Sequence, residues 1–545
     1  MAQEVVDIVV KWSKEWKLNL NSTKSEVSFF SQWPQEARWE PTITIDGSRI
    51  PYRANPKMLG VLLDCTLSFA GQAREVAKQA SGKLYLLATL AHTEWGWRKR
   101  DLMKIYQTFI RSKLDYAAAA WQPWLSHSSV KELDVVQNQA LRMVTGHMAK
   151  APTDATRLET GVPDYWTIVD RLCVKSVEKA MRLPTDHPRY EAWEGAVTPK
   201  NQRPSWKLKC DALLKKMPVE AQNRCQIDMY ACPPWKQTEM EIFINMPGII
   251  DREDPGPKKR AATIARLDSF NADFTVYTDG SASAGCAKGG AAAVVTRGTA
   301  ENPVVLKELK TKGAAFTSSF EEELSAATMA VDWIKEADVD EFCTIVLATD
   351  SQSLCSALSG ASIEIERLVS KIGDLPCRLI WQWIPSHCDV PGNELADEAA
   401  KDAAKMRGTG RQISLASSRS LVKKCIPVPP PQHVRSKLVY SKMTSKSDAG
   451  VNTRHDQVLL ARIRSGWDLR FAATRHRFNN EEDPSCPRCG AESEDMEHWL
   501  LRCPGTLAAK QAIFGVSTVT LDVLTEFPER AIELARRTLS GSALG

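Results

Sequence analysis

Residues 271–406 predict an α/β domain, a mixed five-stranded sheet with helices packed on it. Three observations carry that reading. Small and β-branched apolar runs of strand length recur there. Stretches with an apolar stripe at helical spacing separate the later runs. The resulting order, βββαβαβα, belongs to a layered α/β architecture. The chain as a whole is expected to be multidomain, with a mainly helical region before the sheet and a small helical module after it.

Each element has its own signal. Phe274-Thr275-Val276-Tyr277 reads as the first strand, residues 291–296 as a small-residue, β-branched second and 304–309 as a third. Residues 318–336 form a helix whose stripe is Phe320, Leu324, Ala327, Val331 and Ile334. The fully apolar run 345–349 is a strand, followed by a helix from Ser351. Residues 379–384 make the last strand, and 393–405 the last helix.

Before the sheet, Leu59-Gly60-Val61-Leu62-Leu63-Asp64 is a strand or hairpin edge. Leu102, Ile105, Phe109 and Leu114, then Val130, Leu133, Val136, Ala140, Leu141 and Val144, mark two amphipathic helices. Arg98, Lys99, Lys104, Arg111 and Lys113 give the first a basic face. Such faces suit a nucleic-acid backbone, and a plain helical bundle explains them equally. The domains expected are residues 1–170, a loop-rich connector at 171–270, the sheet domain at 271–406, a Pro-rich linker at 407–450 and a helical module at 451–545. Prolines punctuate the connector, where Trp193, Trp206 and Trp235 suit core or contact alike. Pro427-Val428-Pro429-Pro430-Pro431 suits a stiff polyproline spacer.

Bulk properties narrow the class. The 545 residues are 43% apolar and 25% charged, so buried cores are expected and wholesale disorder is not. A net charge of +5 permits nucleic-acid binding without requiring it. No apolar run reaches the roughly eighteen residues of a membrane helix, so no membrane partner is expected. The start, Met1-Ala2-Gln3-Glu4, has no basic n-region or apolar h-region, so an intracellular protein of nucleus or cytoplasm is expected, not a secreted one. The fourteen cysteines then imply reduced thiols or metal ligands. Oligomeric state is not legible.

The chemistry is carried by four acids: Asp279, Glu323, Asp350 and Asp397. Asp279 and Asp350 end strands, so they converge if those strands are neighbours. Glu323 precedes the apolar run 324–327 on its helix, although Glu321 and Glu322 adjoin it. Asp397 lies in the first turns of the last helix. Singly, such acids are ordinary surface residues. Together they would repel unless cations neutralised them, and a pair of Mg²⁺ ions (Mn²⁺ serving as well) about 4 Å apart fills that need in phosphodiester hydrolysis.

The motifs Thr278-Asp279-Gly280-Ser281, Glu323-Leu324, Thr349-Asp350-Ser351, Pro385-Ser386-His387 and Pro391-Gly392-Asn393-Glu394-Leu395-Ala396-Asp397 resemble, in order and spacing, a type 1 ribonuclease H domain over residues 271–406. The resemblance implies endonucleolytic hydrolysis of the RNA strand of an RNA–DNA hybrid, with the four acids as metal ligands and His387 aiding product release or proton transfer. Hybrid recognition would rest on shape and ribose 2′-hydroxyls. The basic, Trp-rich insertion that some members carry before the last strand is absent from the sequence.

The flanks point the same way. Residues 12–21 with Lys24, residues 59–64, and Tyr106 to Trp121 with residues 137–142 resemble the end of the palm and the thumb of a non-LTR retrotransposon reverse transcriptase. No Tyr/Phe-x-Asp-Asp motif occurs in the sequence, so no polymerase activity is expected and the region reads as a remnant. Cys486, Cys489, His498 and Cys503 have the spacing C-x₂-C-x₈-H-x₄-C, which suits a structural, tetrahedral Zn²⁺ with no open position. Reduced, unmetallated thiols are the alternative. The same cluster recurs at the C-terminal end of the retrotransposon family. Arg462, Arg464, Arg470, Arg475 and Arg477, with Trp467, Phe471 and Phe478 between them, would let this module grip nucleic acid. The competing functional reading is a catalytically inactive nucleic-acid-binding remnant. A DNA nuclease of integrase type fits less well, because such enzymes order three acids differently.

Overall fold

A computed structural model describes residues 2–31, 33–195, 206–227, 240–247, 254–283, 287–337, 339–360, 365–408, 410–444 and 447–539. The chain divides into two compact units. One is Met1–Cys173 together with Ile426–Gly545, and the other is Val174–Cys425.

The second unit is built on a sheet of strands β1 (Glu241–Phe243), β2 (Phe274–Ser283), β3 (Ala287–Gly298), β4 (Pro303–Lys312), β5 (Thr344–Thr349) and β6 (Arg378–Trp383). The spatial order is β1-β6-β5-β2-β3-β4. Strands β1, β6, β5 and β2 run parallel, while β3 and β4 extend the sheet antiparallel from β2. Helices α1 (Gly256–Asp268), α2 (Ser319–Glu336), α3 (Gln352–Leu358), α4 (Glu366–Gly373), α5 (Pro391–Lys405) and α6 (Leu415–Cys425) accompany the sheet, and the unit also holds the helices Pro188–Glu194 and Trp206–Leu214.

Period-two alternation sorts the strand side chains into two cores. Val276, Ala293, Val295, Ile345, Leu347 and Trp381 pack with α2, α3 and α4 on one face. Tyr277, Ala292, Val294, Val346, Ala348 and Ile380 pack with α1 and α5 on the other. The central strand β5 is buried on both faces, which is why its sequence is a continuous apolar run. The outer strand β4 is largely exposed and carries Lys307, Glu308, Lys310 and Lys312, charges that blunt an open edge.

Two expectations need correction. The sheet has six described strands, not five. β1 comes from the connector and pairs with β6, held by two 2.7 Å contacts between Arg378 and Glu241. Three residues among prolines give no periodic signal, so only the free edge of β6 reveals the strand. The single helix expected from Ser351 is described as two, α3 and α4. The connector also supplies α1, whose Leu267 is buried against the sheet, and Trp193 is buried while Trp235 lies outside the described residues. The stretch expected as linker holds α6 and the helix Val434–Tyr440.

In the first unit, the helix His127–Thr145 buries Val130, Leu133, Val136, Ala140, Leu141 and Val144, as its spacing predicts. Ala155 shares a core with Leu459, Leu460, Ile463, Phe471, Trp499, Leu524 and Leu534, so both ends of the chain build one interior. Polar groups are enclosed there too. Arg464 is fully buried and pairs with Glu159 at 3.0 Å and Asp448 at 2.8 Å, and Lys99 joins both acids. Burial alone would raise Glu159, yet Arg464 and Lys99 hold its carboxyl down at about 2. His147 lies 2.9 Å from the Ala461 carbonyl through Nε2 and 2.9 Å from Thr156 Oγ1 through Nδ1. A carbonyl can only accept, so Nε2–H donates to it, and Nδ1 accepts from the Thr156 hydroxyl.

Burial pushes this neutral imidazole down to about 4 from 6.5, against the pull of Glu159. Between those pH values the unfolded chain binds a proton that the folded chain refuses. Stability of the first unit therefore falls as pH drops below 6.5, by about 3 kcal/mol in all, and the lowered Glu159 carries the loss further into acid. Urea unfolding of the full chain at pH 7 and pH 4.5 checks this, with His147→Gln expected to remove about one proton from the dependence.

Candidate active site

Asp279 sits on β2 and Asp350 just past the end of β5, and these strands are parallel neighbours with Thr278 opposite Thr349. Their carboxylates therefore meet at one end of the sheet. Glu323 arrives from α2, whose position is set by Gly280. An added Cβ there would lie 2.2 Å from the Glu323 nitrogen and 2.5 Å from the Glu322 carbonyl carbon, so only glycine allows this approach. Oxygens of Asp279, Glu323 and Asp350 all lie within 4.8 Å of one another.

The register on α2 is decided by what its neighbouring acids do. Glu321 closes a capping box with Ser318 and is also held by Ser414 and Ser417. Glu322 is buried and paired with Arg411. Both are occupied by residues that follow the last helix of the sheet domain, leaving Glu323 to face the acids.

Asp397 and His387 line the same cavity of about 320 Å³. Helix α5 begins at Pro391, and its first turn lies so close to the Tyr277 ring that a Cβ at Gly392 would fall 2.1 Å from it. That contact sets where Asp397 stands, and Lys401 one turn later pairs with it at 2.5 Å. Cys388 is buried, donating from Sγ to the Pro385 carbonyl at 3.0 Å, and flanking residues His387 (φ 52°) and Asp389 (φ 57°) take left-handed backbone. This tight turn leaves the His387 side chain exposed at the cavity. Asn393, quoted in the motif but assigned no role there, is buried in the wall and hydrogen-bonds Asp350.

Enclosure and mutual repulsion shape the electrostatics of the cluster. Burial, then the charges of Asp350 and Asp397, pushes Asp279 up to about 7. Burial raises Glu323 well above the usual carboxylate range, with Asp279 and Asp350 adding to it. Asp350 is raised by burial, against the pull of His387. Glu323 Oε2 is buried without a hydrogen-bond partner. Hard oxygen donors, mutual repulsion and an orphaned buried oxygen all fit divalent cations.

Cys486, Cys489, His498 and Cys503 form a second cluster, their ligand atoms also within 4.8 Å of one another. Gly490 at φ 74° turns the chain after the Cys-x-x-Cys pair, and the amides of Cys489 and Gly490 both donate to the Cys486 carbonyl. Burial lowers His498, favouring the neutral imidazole that a metal ligand must be. The arginines nearby depart from expectation. Arg462 donates to the Gly146 carbonyl at 2.8 Å, and Arg464 is enclosed with Glu159 and Asp448, so neither is offered to nucleic acid. Lys99 likewise turns inward. Arg475 is bound to the Leu469 carbonyl and Glu482, and Arg477 lies over the Trp467 ring. Phe471 packs against Trp499 in the core. Helical spacing cannot tell an arginine that faces water from one that answers a buried acid.

Comparison with known proteins adds to this geometry. The RNase H family matches residues 271–405. A ribonuclease H of Bradyrhizobium diazoefficiens is 30% identical over 147 residues, covering 24% of this chain and 87% of the bacterial protein. A probable RNA-directed DNA polymerase from transposon X-element of Drosophila melanogaster is 24% identical over 25% of this chain, and a Pol polyprotein from retrotransposable element R1 of Nasonia vitripennis is 22% identical over 32%. The chain spans only 14% and 52% of the length of those two transposon proteins.

Repulsion among the carboxylates costs stability that a cation restores. Mg²⁺ is expected to raise the melting temperature of the wild-type chain above its value in EDTA. Glu323→Gln is expected to melt higher than wild type in EDTA and to gain less from Mg²⁺, which differential scanning fluorimetry reads directly.

Proposed function

We infer the activity from one premise: through residues 271–405 this chain belongs to the ribonuclease H family. It is a ribonuclease H in a chain related to retrotransposon Pol proteins. The reading supported best is Mg²⁺-dependent endonucleolytic hydrolysis of the RNA strand of an RNA–DNA hybrid. The observation that carries it is the convergence of Asp279, Glu323 and Asp350, from three separate elements, in one cavity with Asp397 and His387.

In this proposal Asp279, Glu323, Asp350 and Asp397 hold two Mg²⁺ ions, with Mn²⁺ able to replace them. Bound there, the ions supply an activated water and charge stabilisation for the departing oxygen. Asn393 orients Asp350 by its hydrogen bond. Lys401 steadies Asp397. His387, exposed at the cavity, would aid product release or carry a proton to or from the oxygen that leaves. The flanks are proposed as reverse-transcriptase-like residues 1–170, without polymerase activity, and a C-terminal module at 451–545. The latter would be held by a structural Zn²⁺ on Cys486, Cys489, His498 and Cys503.

Two measurements test these readings. The full chain with Mg²⁺ is expected to cut the RNA strand of a labelled hybrid, and Asp279→Asn to lower kcat by at least about a hundredfold. No cleavage by the wild-type chain would leave nucleic-acid binding as the function. For the zinc reading, metal analysis of purified protein is expected to give one zinc per chain, lost with Cys486→Ser, whose first unit unfolds at lower urea.

A further inference from the structure

We propose that a lysine-lined cavity beside the carboxylate site holds a backbone phosphate of the nucleic acid, next along the strand from the bond that is cut. The proposal rests on the nuclease reading above and adds a substrate contact to it.

The cavity, about 420 Å³, is lined by Ser281, Ser283, Lys288, Lys312, Lys401 and Lys405. These come from the end of β2, the start of β3, the end of β4 and the last turns of α5. Gly290 lies opposite Lys312 in the sheet, and a Cβ on it would sit 2.2 Å from the Ala404 nitrogen. The bare backbone at Gly290 lets the end of α5 lie directly on the strands, which brings the helix lysines to the strand lysines.

The charges do not cancel. Lys401 pairs with Asp397 and Lys405 with Asp402 at 3.5 Å. Lys312 Nζ donates to the uncharged Gly408 carbonyl at 2.7 Å, and among the described residues no carboxylate pairs with Lys288 or Lys312. Two positive charges are therefore left over. Lysines late in a helix are explained by its dipole, which accounts for Lys401 and Lys405. It does not account for two lysines on strands. Lys288 moreover occupies φ 48°, a conformation that glycine takes freely and lysine does not, so the side chain is kept there against a local backbone cost.

Position then identifies the ligand. Ser281 lines both this cavity and the carboxylate site. Asp397 and Lys401 stand one turn apart on the same face of α5, so the acidic site and the lysine cavity adjoin along that helix. A cation-bearing acidic site and an ammonium-lined cavity side by side match consecutive phosphates of a polynucleotide. The Ser281 and Ser283 hydroxyls offer donors to the same oxygens. Such a contact reads backbone, so it is indifferent to base sequence.

The test uses the full chain carrying Lys288→Ala, Lys312→Ala or both, with Lys288→Arg as the charge-keeping variant and Lys335→Ala as a surface control. Cleavage of a labelled hybrid in Mg²⁺ is followed across a salt series, and melting temperature is recorded for each variant. The double variant is expected to raise KM roughly tenfold at low salt and to flatten the dependence of log KM on log salt by about one, the share of a single phosphate. Its kcat should stay within about twofold, with Lys288→Arg near wild type and Lys335→Ala unchanged. An unchanged KM and salt slope in the double variant overturns the proposal, as does a fall in melting temperature with no change in KM. If the wild-type chain cuts no hybrid, the nuclease reading fails separately, and anisotropy of the uncut hybrid with the same variants in Mg²⁺ still decides whether these lysines bind the strand.

Discussion

The site depends on how closely α2 approaches β2. At Gly280 the helix backbone sits where any other residue would place its Cβ. That contact carries Glu323 to within reach of Asp279 and Asp350, acids that a strand pairing has already brought together. A one-residue change of register on α2 would present Glu322 or Leu324 instead. The helix is held against such a slip from its N-terminal end, where Glu321 is fastened by its capping box and by Ser414 and Ser417, and Glu322 by Arg411. The segment after α5 thus belongs to the machinery that aims a carboxylate some ninety residues earlier in the chain.

This aim has an electrostatic cost. Enclosing Asp279, Glu323 and Asp350 together raises all three carboxyls, burial being the first cause in each. Asn393 and Lys401 relieve the edges of the cluster, one by a hydrogen bond and the other by an ion pair, without reaching its centre. A protein keeps such an arrangement when a ligand of opposite charge completes it. The neighbouring lysines have the opposite sign, so adjoining cavities suit the two halves of one task, holding cations and holding phosphates.

The other unit uses charge to hold itself together. Arg454 donates to the Val144 carbonyl at 2.6 Å and the Met143 carbonyl at 2.9 Å, at the end of the long helix, and Arg462 to that of Gly146. Arg464 and Lys99 enclose Glu159 and Asp448. Groups that look on paper like a basic nucleic-acid surface are therefore internal ties between the two ends of the chain. Buried pairs of this kind tolerate little change, since removing one partner leaves the other charged and without water.

Much of this was legible in the residues. The strand and helix order of 274–405 follows from local periodicity, because alternating and 3.6-residue patterns arise wherever an element has one face or two in a core. The acids and His387 were legible because chemistry demands particular side chains in a particular order. The Cys/His cluster was legible from its spacing, and Asp279, Asp350 and Asp397 from where they fall on their elements. Tertiary structure decided the rest. Three residues, Glu241–Phe243, become a strand only because β6 offers a free edge. Glu323 is distinguished from Glu321 and Glu322 only by which partners reach them. Arg464 turns inward only because Glu159, some three hundred residues away, is buried beside it. Local patterns record which way a residue faces on its own element, and contacts between distant elements exist only once the chain has folded.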